Sequence, residues 1–183
     1  MRIALLGGSF NPPHVGHLMN ACYVLATRGV DRVWLMPVFK HPFGKPLAPF
    51  SDRLRMCELA AARFAQVIEV SRVEADAPGG GRTIDTLEYL QKKHPEHQFA
   101  LVIGTDILPE TPQWKDFDRI EKLVEVIVVP RAGFPSERAK GPPLPPVSST
   151  EVREMLARGE DVSALIPREV LAYLAQRGLY RAG

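Results

Sequence analysis

Apolar runs and amphipathic stretches alternate along the first 130 residues of the chain. The apolar runs lie at about 2–7, 31–37, 66–70, 98–104 and 124–129. The stretches with helical spacing of apolar positions lie at about 16–28, 51–64, 83–93 and 116–122. Strands that alternate with helices in this way pair in parallel, and the helices then cover both faces of the sheet. The pattern therefore predicts an α/β fold built on one parallel sheet.

Two proline-rich stretches interrupt the alternation and predict loops. They span residues 37–50 and 130–146. After the second loop, the segment Ser148–Glu151 is typical of a helix N-terminus. It predicts a helix to about residue 157, and a proline at position 167 suits the start of a last helix over about 167–177.

Cap residues and chain length refine this picture. Ser51 and Asp52 fit an N-cap for the second helix, and Gly29 fits a C-cap for the first. A chain of 183 residues is long enough for one well-buried core and short for two. We expect a single domain over residues 1–183, including a C-terminal helical segment over about 149–183.

The composition excludes several classes of function. Hydrophobic residues make up 45%, charged residues 24%, and the formal net charge is +2, so bulk charge does not indicate binding to nucleic acid or membranes.

The N-terminus carries neither a basic leader nor an apolar signal core, and no apolar run approaches the ~20 residues that span a bilayer. We expect a cytoplasmic protein. Cys22 and Cys57 lie in separate predicted helices, which argues for packing rather than a disulfide or thiolate zinc site.

The segment from Gly7 to His17 carries the most chemical information. It directly follows the first apolar run and contains two glycines that let the backbone approach a ligand and two prolines that stiffen the loop. Gly16 opens the next helical pattern, so backbone N–H groups at a helix start supply partial positive charge. With the imidazoles of His14 and His17 nearby, this arrangement suits a polyphosphate.

Other interpretations of the two histidines are weaker. A zinc site needs a further close ligand, and no neighbouring HExxH, CxxC or carboxylate-rich spacing supplies one. A capping histidine beside a loop histidine remains an alternative for His14 or His17 taken alone. The P-loop and the GxGxxG dinucleotide fingerprint are both absent from the sequence.

Further polar segments follow other predicted strands. Gly104-Thr105-Asp106 comes after the fourth apolar run, and the loop over 37–50 comes after the second. Ligands of open parallel sheets bind beyond the carboxyl ends of the strands. These segments and the histidine loop are therefore expected to converge on one crevice.

Two motifs resemble signatures of the nucleotidyltransferase superfamily. Gly8–His17 resembles its (H/T)xGH signature, and Ser148–Arg153 resembles its SSTxxR signature. Within the superfamily the chain resembles the bacterial nicotinate-nucleotide adenylyltransferase family along nearly all its length, including Thr83–Leu87, Trp114 and the ending Leu179-Tyr180. The resemblance implies a Rossmann-like, doubly wound sheet and the synthesis of nicotinate adenine dinucleotide from ATP and nicotinate mononucleotide.

The residues suit that chemistry. Adenylyl transfer to a phosphate needs no covalent nucleophile, because the attacking oxygen is already ionised near neutral pH; alignment and charge stabilisation remain. We expect His14 and His17 to donate to the α-phosphate of ATP as charge builds in the transition state.

The second motif is expected to hold the leaving group. The resemblance implies that Arg153, Ser149 and Thr150 bind the β- and γ-phosphates, which leave as pyrophosphate. A cap at Ser149 would place the Arg153 guanidinium beside the unpaired N–H groups of the helix start; a plain capping box with a surface arginine is the alternative. In full, the expected ATP-binding residues are Gly7, Gly8, Ser9, Phe10, Gly16, Gly104, Asp106, Arg131, Ser149 and Thr150.

A second set of residues is expected to bind the mononucleotide. Trp114 follows a proline-rich turn between polar neighbours, where an indole face can stack on a pyridine ring, although a lone tryptophan is more often part of a core. The resemblance implies this stacking and a carboxylate contact from Thr83, and Asp106 suits ribose hydroxyls. In full, the expected mononucleotide-binding residues are Lys40, His41, Lys45, Arg53, Thr83, Asp106 and Trp114.

The chain departs from the family pattern in two places. The family usually carries a Pro-Pro-His-Lys-like segment after the second strand, whereas this chain has basic or imidazole groups at Lys40, His41 and Lys45, any of which suits the mononucleotide phosphate. Arg131-Ala132-Gly133 replaces the more usual Arg-Pro-Gly, with the arginine retained.

The sequence thus predicts a nucleotidyltransferase with ATP and nicotinate mononucleotide as its small-molecule partners and the option of a homo-oligomer. We expect Mg²⁺ to bind through the ATP phosphates and no metal-ligating residues in the protein itself. Sister transferases that use nicotinamide mononucleotide or phosphopantetheine as acceptor are the nearest alternative. A nucleotide-binding protein without turnover is the alternative from another class. Pyrophosphate release that depends on the mononucleotide distinguishes the two classes.

Overall fold

The computed structural model of the chain describes residues 1–40, 44, 46–78 and 81–180. Over these residues the strands are β1 (Arg2–Gly8), β2 (Arg32–Pro37), β3 (Ile68–Val70), β4 (Gln98–Gly104) and β5 (Glu125–Val129). The α-helices of the same part of the chain are α1 (Val15–Thr27), α2 (Phe50–Ala61), α3 (Val73–Asp76), α4 (Thr83–Lys93), α5 (Phe117–Leu123), α6 (Ser149–Ala157) and α7 (Arg168–Arg177). Short 3-10 helices span Ala62–Phe64 and Leu108–Gln113.

The sheet has its strands in parallel, in the order β3-β2-β1-β4-β5. β1 lies at the centre, where Leu6 stands opposite Leu35 of β2 and Val102 of β4. The chain builds one edge through β2 and β3 and then returns past β1 to build the other. This confirms the doubly wound α/β sheet expected from the sequence.

Helices cover both faces because successive side chains of a strand point to opposite faces. In β1, Ala4 and Leu6 pack into a cluster shared with α1 and α2. Ile3 and Leu5 pack into a second cluster with α4 and α5. The apolar run of β1 is continuous because both of its faces are buried.

A third apolar cluster joins the C-terminal helices to α2. Val152 of α6 and Val170 of α7 are fully buried against Met56 of α2. Cys57, one position further along α2, is buried in the first cluster, which confirms a packing role for this cysteine. Cys22 is a partly buried free thiol.

The predicted N-cap of α2 is wrong. Pro49 occupies the N-cap position, and Ser51 already lies inside the helix. The Asp52 carboxylate accepts instead from the Tyr173 hydroxyl at 2.7 Å and from Arg177 Nε at 3.0 Å, both residues of α7. A long-range contact has therefore taken the side chain that the local pattern assigned to capping.

Other ends of the helices follow the sequence more closely. Arg28 is the C-cap of α1, and Gly29 follows it with φ of 57°, a left-handed conformation that glycine tolerates. The short helix α3 and both 3-10 helices were not predicted. Within the described ranges, none of the helices combines the length and apolar character needed to cross a membrane.

Candidate active site

The winding of the sheet changes direction between the carboxyl ends of β1 and β4, which is where doubly wound sheets have their ligand crevice. The connections leaving these neighbouring strands run to opposite faces, so their loops part at this point. The loop from Ser9 to His14 follows β1, and Gly104–Asp106 ends and follows β4. Phe10 in the first loop is fully buried, with φ of 46°. The structure thus brings the two predicted loops to one edge of the sheet.

The two histidines form a tilted ring pair at the start of α1, with 35° between the imidazole planes. His14 is the N-cap residue, and its backbone N–H donates to Nδ1 of His17 at 3.1 Å. The imidazole centroids lie 3.8 Å apart, and the Phe10 ring packs 4.6 Å from that of His17. Because Nδ1 of His17 accepts a hydrogen bond, neutral His17 carries its proton on Nε2. His17 is therefore oriented as an N–H donor.

Both imidazoles are neutral at pH 7 in the ligand-free protein. Burial lowers the pKa of His14 to about 4, and the positive charge of Arg131 adds to this effect. Burial also holds the pKa of His17 well below its usual value, with further contributions from His14 and Arg131. Among the described residues, none hydrogen-bonds to the buried Nδ1 of His14.

Gly16 allows this packing. A Cβ atom at position 16 would lie 3.0 Å from Nδ1 of His14 and 3.3 Å from Cβ of Val147. Any side chain there would push apart the histidine loop and the segment that leads into α6. Glycine is therefore needed at position 16 because there is no space for a side chain between the two predicted motifs.

The second motif starts α6 and contacts the histidine loop directly. Ser148 is the N-cap, and its Oγ accepts from the Glu151 N–H at 3.2 Å, so the predicted cap at Ser149 is wrong by one position. The Ser149 hydroxyl instead donates to the Pro12 carbonyl at 2.9 Å. Thr150 is exposed at the helix N-terminus.

Arg153 connects α6 to the same loop. Its Nη1 donates to the Asn11 carbonyl at 2.8 Å and to the Ser149 carbonyl at 3.1 Å. Its Nη2 donates to Thr150 Oγ1 at 3.3 Å. The partly buried guanidinium thus places a fixed positive charge between the two motifs, one helical turn from the N-terminus of α6.

Asp106 and Arg131 form the β4 side of the crevice. Arg131 Nε lies 3.8 Å from Asp106 Oδ1, and Arg131 Nη2 donates to the Val147 carbonyl at 3.1 Å. A Cβ at Gly104 would overlap Asp106 Oδ1 and lie 3.2 Å from Cγ of Arg131. Gly104 therefore leaves the space in which the Asp106 carboxylate sits.

Arg53 is buried and does not line an open phosphate site. Its side chain is 1% exposed, and its donors reach three backbone carbonyls. Arg53 Nε donates to Ala48 at 2.9 Å, Nη1 to Ser9 at 2.9 Å and Nη2 to Phe39 at 3.4 Å. The arginine fastens the loop after β2 to the loop after β1.

Two of the residues expected at the mononucleotide, Thr83 and Trp114, lie at the start of α4 and at the end of the 3-10 helix Leu108–Gln113. Thr83 is the first residue of α4, and Asp85 in the same turn lies 3.6 Å from Lys115 Nζ. Lys115 follows Trp114 in the chain, so this ion pair connects the start of α4 to the segment that carries Trp114. The Trp114 ring is partly buried, meets Phe117 edge to face at 5.9 Å, and lines an open groove.

The loop after β2 is described only in part. Lys40 is exposed, and its carbonyl would lie 3.4 Å from a Cβ at Gly81, two residues before Thr83. His41 and Lys45 lie outside the described residues.

Glu74 on α3 is a buried carboxyl that was not expected from the sequence. Its Oε1 accepts from Thr86 Oγ1 of α4 at 3.0 Å, and burial raises the pKa of the Glu74 carboxyl. Glu74 Oε2 also faces Gly81. No signal in the sequence separates this glutamate from a surface residue, because α3 is too short to show a period.

Asn11 and Tyr180 were also missed as partners. The Asn11 side-chain oxygen accepts from the Ala48 N–H at 3.0 Å and from the Tyr180 hydroxyl at 2.6 Å. Tyr180, three residues beyond the end of α7, is thereby hydrogen-bonded to the histidine loop.

Comparisons with known proteins identify the family and the fold. A family model described as cytidylyltransferase-like matches residues 5–155. A probable nicotinate-nucleotide adenylyltransferase of Anaeromyxobacter sp. (strain K) is 57% identical, covering 98% of this chain and 96% of its own. One of Myxococcus xanthus (strain DK1622) is 52% identical, covering 98% and 95%.

Solved structures share the fold. Plasmodium falciparum nicotinic acid mononucleotide adenylyltransferase complexed with NaAD has a TM-score of 0.82 at 20% identity, covering 98% of this chain and 97% of its own. The full-length relatives at 57% and 52% identity show the family. The chain belongs to the nicotinate-nucleotide adenylyltransferase family.

Proposed function

We propose that this protein transfers the adenylyl group of ATP to the phosphate of nicotinate mononucleotide, giving nicotinate adenine dinucleotide and pyrophosphate. The observation that carries the proposal is the close contact of the His14 and His17 imidazoles beyond the carboxyl end of β1, with Arg153 hydrogen-bonded to the same loop. Because both substrates are free nucleotides, we place the reaction in the cytoplasm.

In this proposal His17 acts on the α-phosphate. Its Nδ1 is already occupied by the His14 N–H, so the Nε2–H is left to donate to a non-bridging α-phosphate oxygen. Negative charge on that oxygen grows as the mononucleotide phosphate attacks, and a preoriented donor in a buried site stabilises it most at that moment. A bound polyanion also favours the protonated imidazole, which raises the histidine pKa on binding.

Arg153 and the N-terminus of α6 suit the departing pyrophosphate. The guanidinium is held by carbonyls of both motifs, so it lies in place before ATP arrives. The unpaired N–H groups of Ser149 and Thr150 and the helix dipole favour the same negative charge. Arg131 on the opposite wall adds a second fixed cation.

We propose that ATP enters as its magnesium complex. Asp106 is the acidic side chain described at this crevice wall, and it faces Arg131. The phosphate oxygens of ATP are then the main ligands of the ion, together with water, which matches the preference of Mg²⁺ for phosphate and water oxygens.

The acceptor lies on the side of Trp114 and Thr83. The indole face stacks on the pyridine ring, and the N-terminus of α4 beside Thr83 favours the nicotinate carboxylate. Asp106 accepts from ribose hydroxyls. Lys40, with His41 and Lys45 of the same loop, supplies positive charge for the mononucleotide phosphate.

The test is pyrophosphate release from MgATP with three acceptors side by side: nicotinate mononucleotide, nicotinamide mononucleotide and phosphopantetheine. We expect release only in the presence of an acceptor and the highest kcat/KM with nicotinate mononucleotide. ATP binding without acceptor-dependent release would instead identify a nucleotide-binding protein. A higher kcat/KM with either other acceptor would reassign the substrate.

A further inference from the structure

A cluster of two imidazoles and a carboxylate lies at the end of the sheet opposite the crevice. His94 is the C-cap residue of α4, and Glu96 and His97 precede β4. β4 runs seven residues from Gln98 to Gly104, which separates this cluster from the nucleotide site by roughly 23 Å at the usual rise of a strand. The proposed adenylyl transfer uses none of these three side chains.

The donor atoms have the spacing of a metal site. Nδ1 of His94 lies 3.5 Å from Glu96 Oε1, and Nε2 of His97 lies 3.4 Å from the same oxygen. One ligand atom from each residue lies within 4.8 Å of both others. Zinc with bonds of about 2.1 Å in a tetrahedron separates its ligands by about 3.4 Å, so two of the three edges already have the required length.

The rest of the molecule holds these groups in place. The His97 N–H donates to the His94 carbonyl at 3.0 Å, which closes the turn. The two imidazole planes are within 5° of parallel, and Trp34 of β2 meets both rings nearly edge to face, at 5.7 and 6.5 Å. A residue from a distant strand thus orients two ligands that are neighbours in sequence.

The local charges admit a cation. The cluster lies at the C-terminus of α4, where the last carbonyls carry partial negative charge. Lys93, the nearest preceding cation in the sequence, has its Nζ 5.3 Å from the Tyr89 ring centroid. Side chains of His94 and His97 are 30% and 14% exposed, and that of Glu96 is 59% exposed, so an ion has access from solvent.

We propose that His94, Glu96 and His97 bind a divalent transition-metal ion of the zinc class, with water at the fourth position. Imidazole nitrogens favour Zn²⁺, Ni²⁺ and Cu²⁺ over Mg²⁺, so this site is distinct in chemistry from the magnesium carried by ATP. The ion joins the end of α4 to the start of β4. This site departs from the sequence expectation of no protein metal ligands.

Zinc binding to chelator-treated, nucleotide-free protein tests the proposal, with a chromophoric chelator as competitor. We expect one Zn²⁺ per chain, and a Glu96→Gln or His94→Asn change that weakens binding by about tenfold or more. Glu96→Gln alters an exposed side chain and keeps its shape, so the folded protein is retained for measurement. The matched control, His14→Asn with His17→Asn, removes the other histidine pair and should leave zinc affinity within about twofold.

Tryptophan fluorescence provides the tertiary readout. In a Trp114→Phe background, Trp34 is the remaining tryptophan, and Cu²⁺ bound beside it should quench its emission with the same affinity order across the variants. Zinc affinity unchanged in both His94→Asn and Glu96→Gln would overturn the proposal. Loss of zinc binding in the His14 and His17 control alone would place the metal in the crevice and overturn it equally.

Discussion

Substitution of Gly104 by alanine should damage catalysis through the neighbouring Asp106. The added methyl carbon would overlap the Asp106 carboxylate oxygen and press on Cγ of Arg131 at 3.2 Å. The backbone on either side is held in β4 and by the Thr105 N–H bonded to Val129, so the carboxylate rotates away instead. The proposed contact with the substrate ribose is then lost.

The magnitude follows from that lost contact. A hydrogen bond to a charged group contributes about 1.5–3 kcal/mol, and each 1.4 kcal/mol is tenfold in an equilibrium constant. We therefore expect Gly104→Ala to lower kcat/KM about 10- to 100-fold, measured by pyrophosphate release under limiting mononucleotide. Its urea unfolding midpoint serves as the control for general damage.

A double-mutant cycle separates this route from others. If Gly104→Ala acts by displacing Asp106, then adding it to Asp106→Ala should cost little more. Full additivity of the two losses in kcat/KM would refute the reasoning, because the methyl group would then act independently of the carboxylate.

Three further predictions concern protonation, the chain end and the pyridine site. The pKa of His14 is about 4 in the folded protein, below the unfolded value of 6.5. The free energy of unfolding should therefore be fully retained above pH 6.5 and fall by on the order of 3 kcal/mol as the pH drops through 4. Urea titrations over this pH range should show the fall in wild type and not in His14→Asn. Tyr180→Phe removes the 2.6 Å hydrogen bond to Asn11 and should lower the free energy of unfolding by about 1 kcal/mol. The same change made in an Asn11→Ala background should cause no such further loss. Trp114→Ala should raise the KM for nicotinate mononucleotide several-fold, up to about tenfold, and leave the KM for ATP nearly unchanged; equal changes in both would reject the stacking role.

The strands could be predicted almost to the residue. Runs at 98–104 and 124–129 correspond to β4 (Gln98–Gly104) and β5 (Glu125–Val129). These strands are covered on both faces, so nearly every position must be apolar and the sequence marks each strand as a block. The histidine loop was equally visible, because its glycines and prolines are needed by the local backbone.

Side chains that serve distant partners could not be predicted. The local sequence pattern favours Asp52 as a helix cap, but its carboxylate accepts a hydrogen bond from Tyr173, 121 positions along the chain. Arg53 is expected from the sequence to bind the mononucleotide phosphate, and only the folded chain reveals that its guanidinium donates to three backbone carbonyls. The buried Glu74 carboxyl likewise has its hydrogen-bond donor, Thr86, on another helix. Local sequence patterns predict strands, helices and turns, whereas these side-chain contacts depend on which helices and loops pack together in the folded chain.

The central claim is that His17 donates from Nε2 to the α-phosphate in the transition state. The most direct measurement is single-turnover pyrophosphate release, with ATP affinity measured separately by equilibrium dialysis, for wild type, His17→Ala and His17→Gln. Removal of a preoriented donor of this kind costs about 10²–10³ in rate. We expect a loss of that size in His17→Ala with ATP affinity within a few fold, and partial recovery in His17→Gln, whose amide N–H can reach a similar position. Near-normal single-turnover release in His17→Ala would contradict the account.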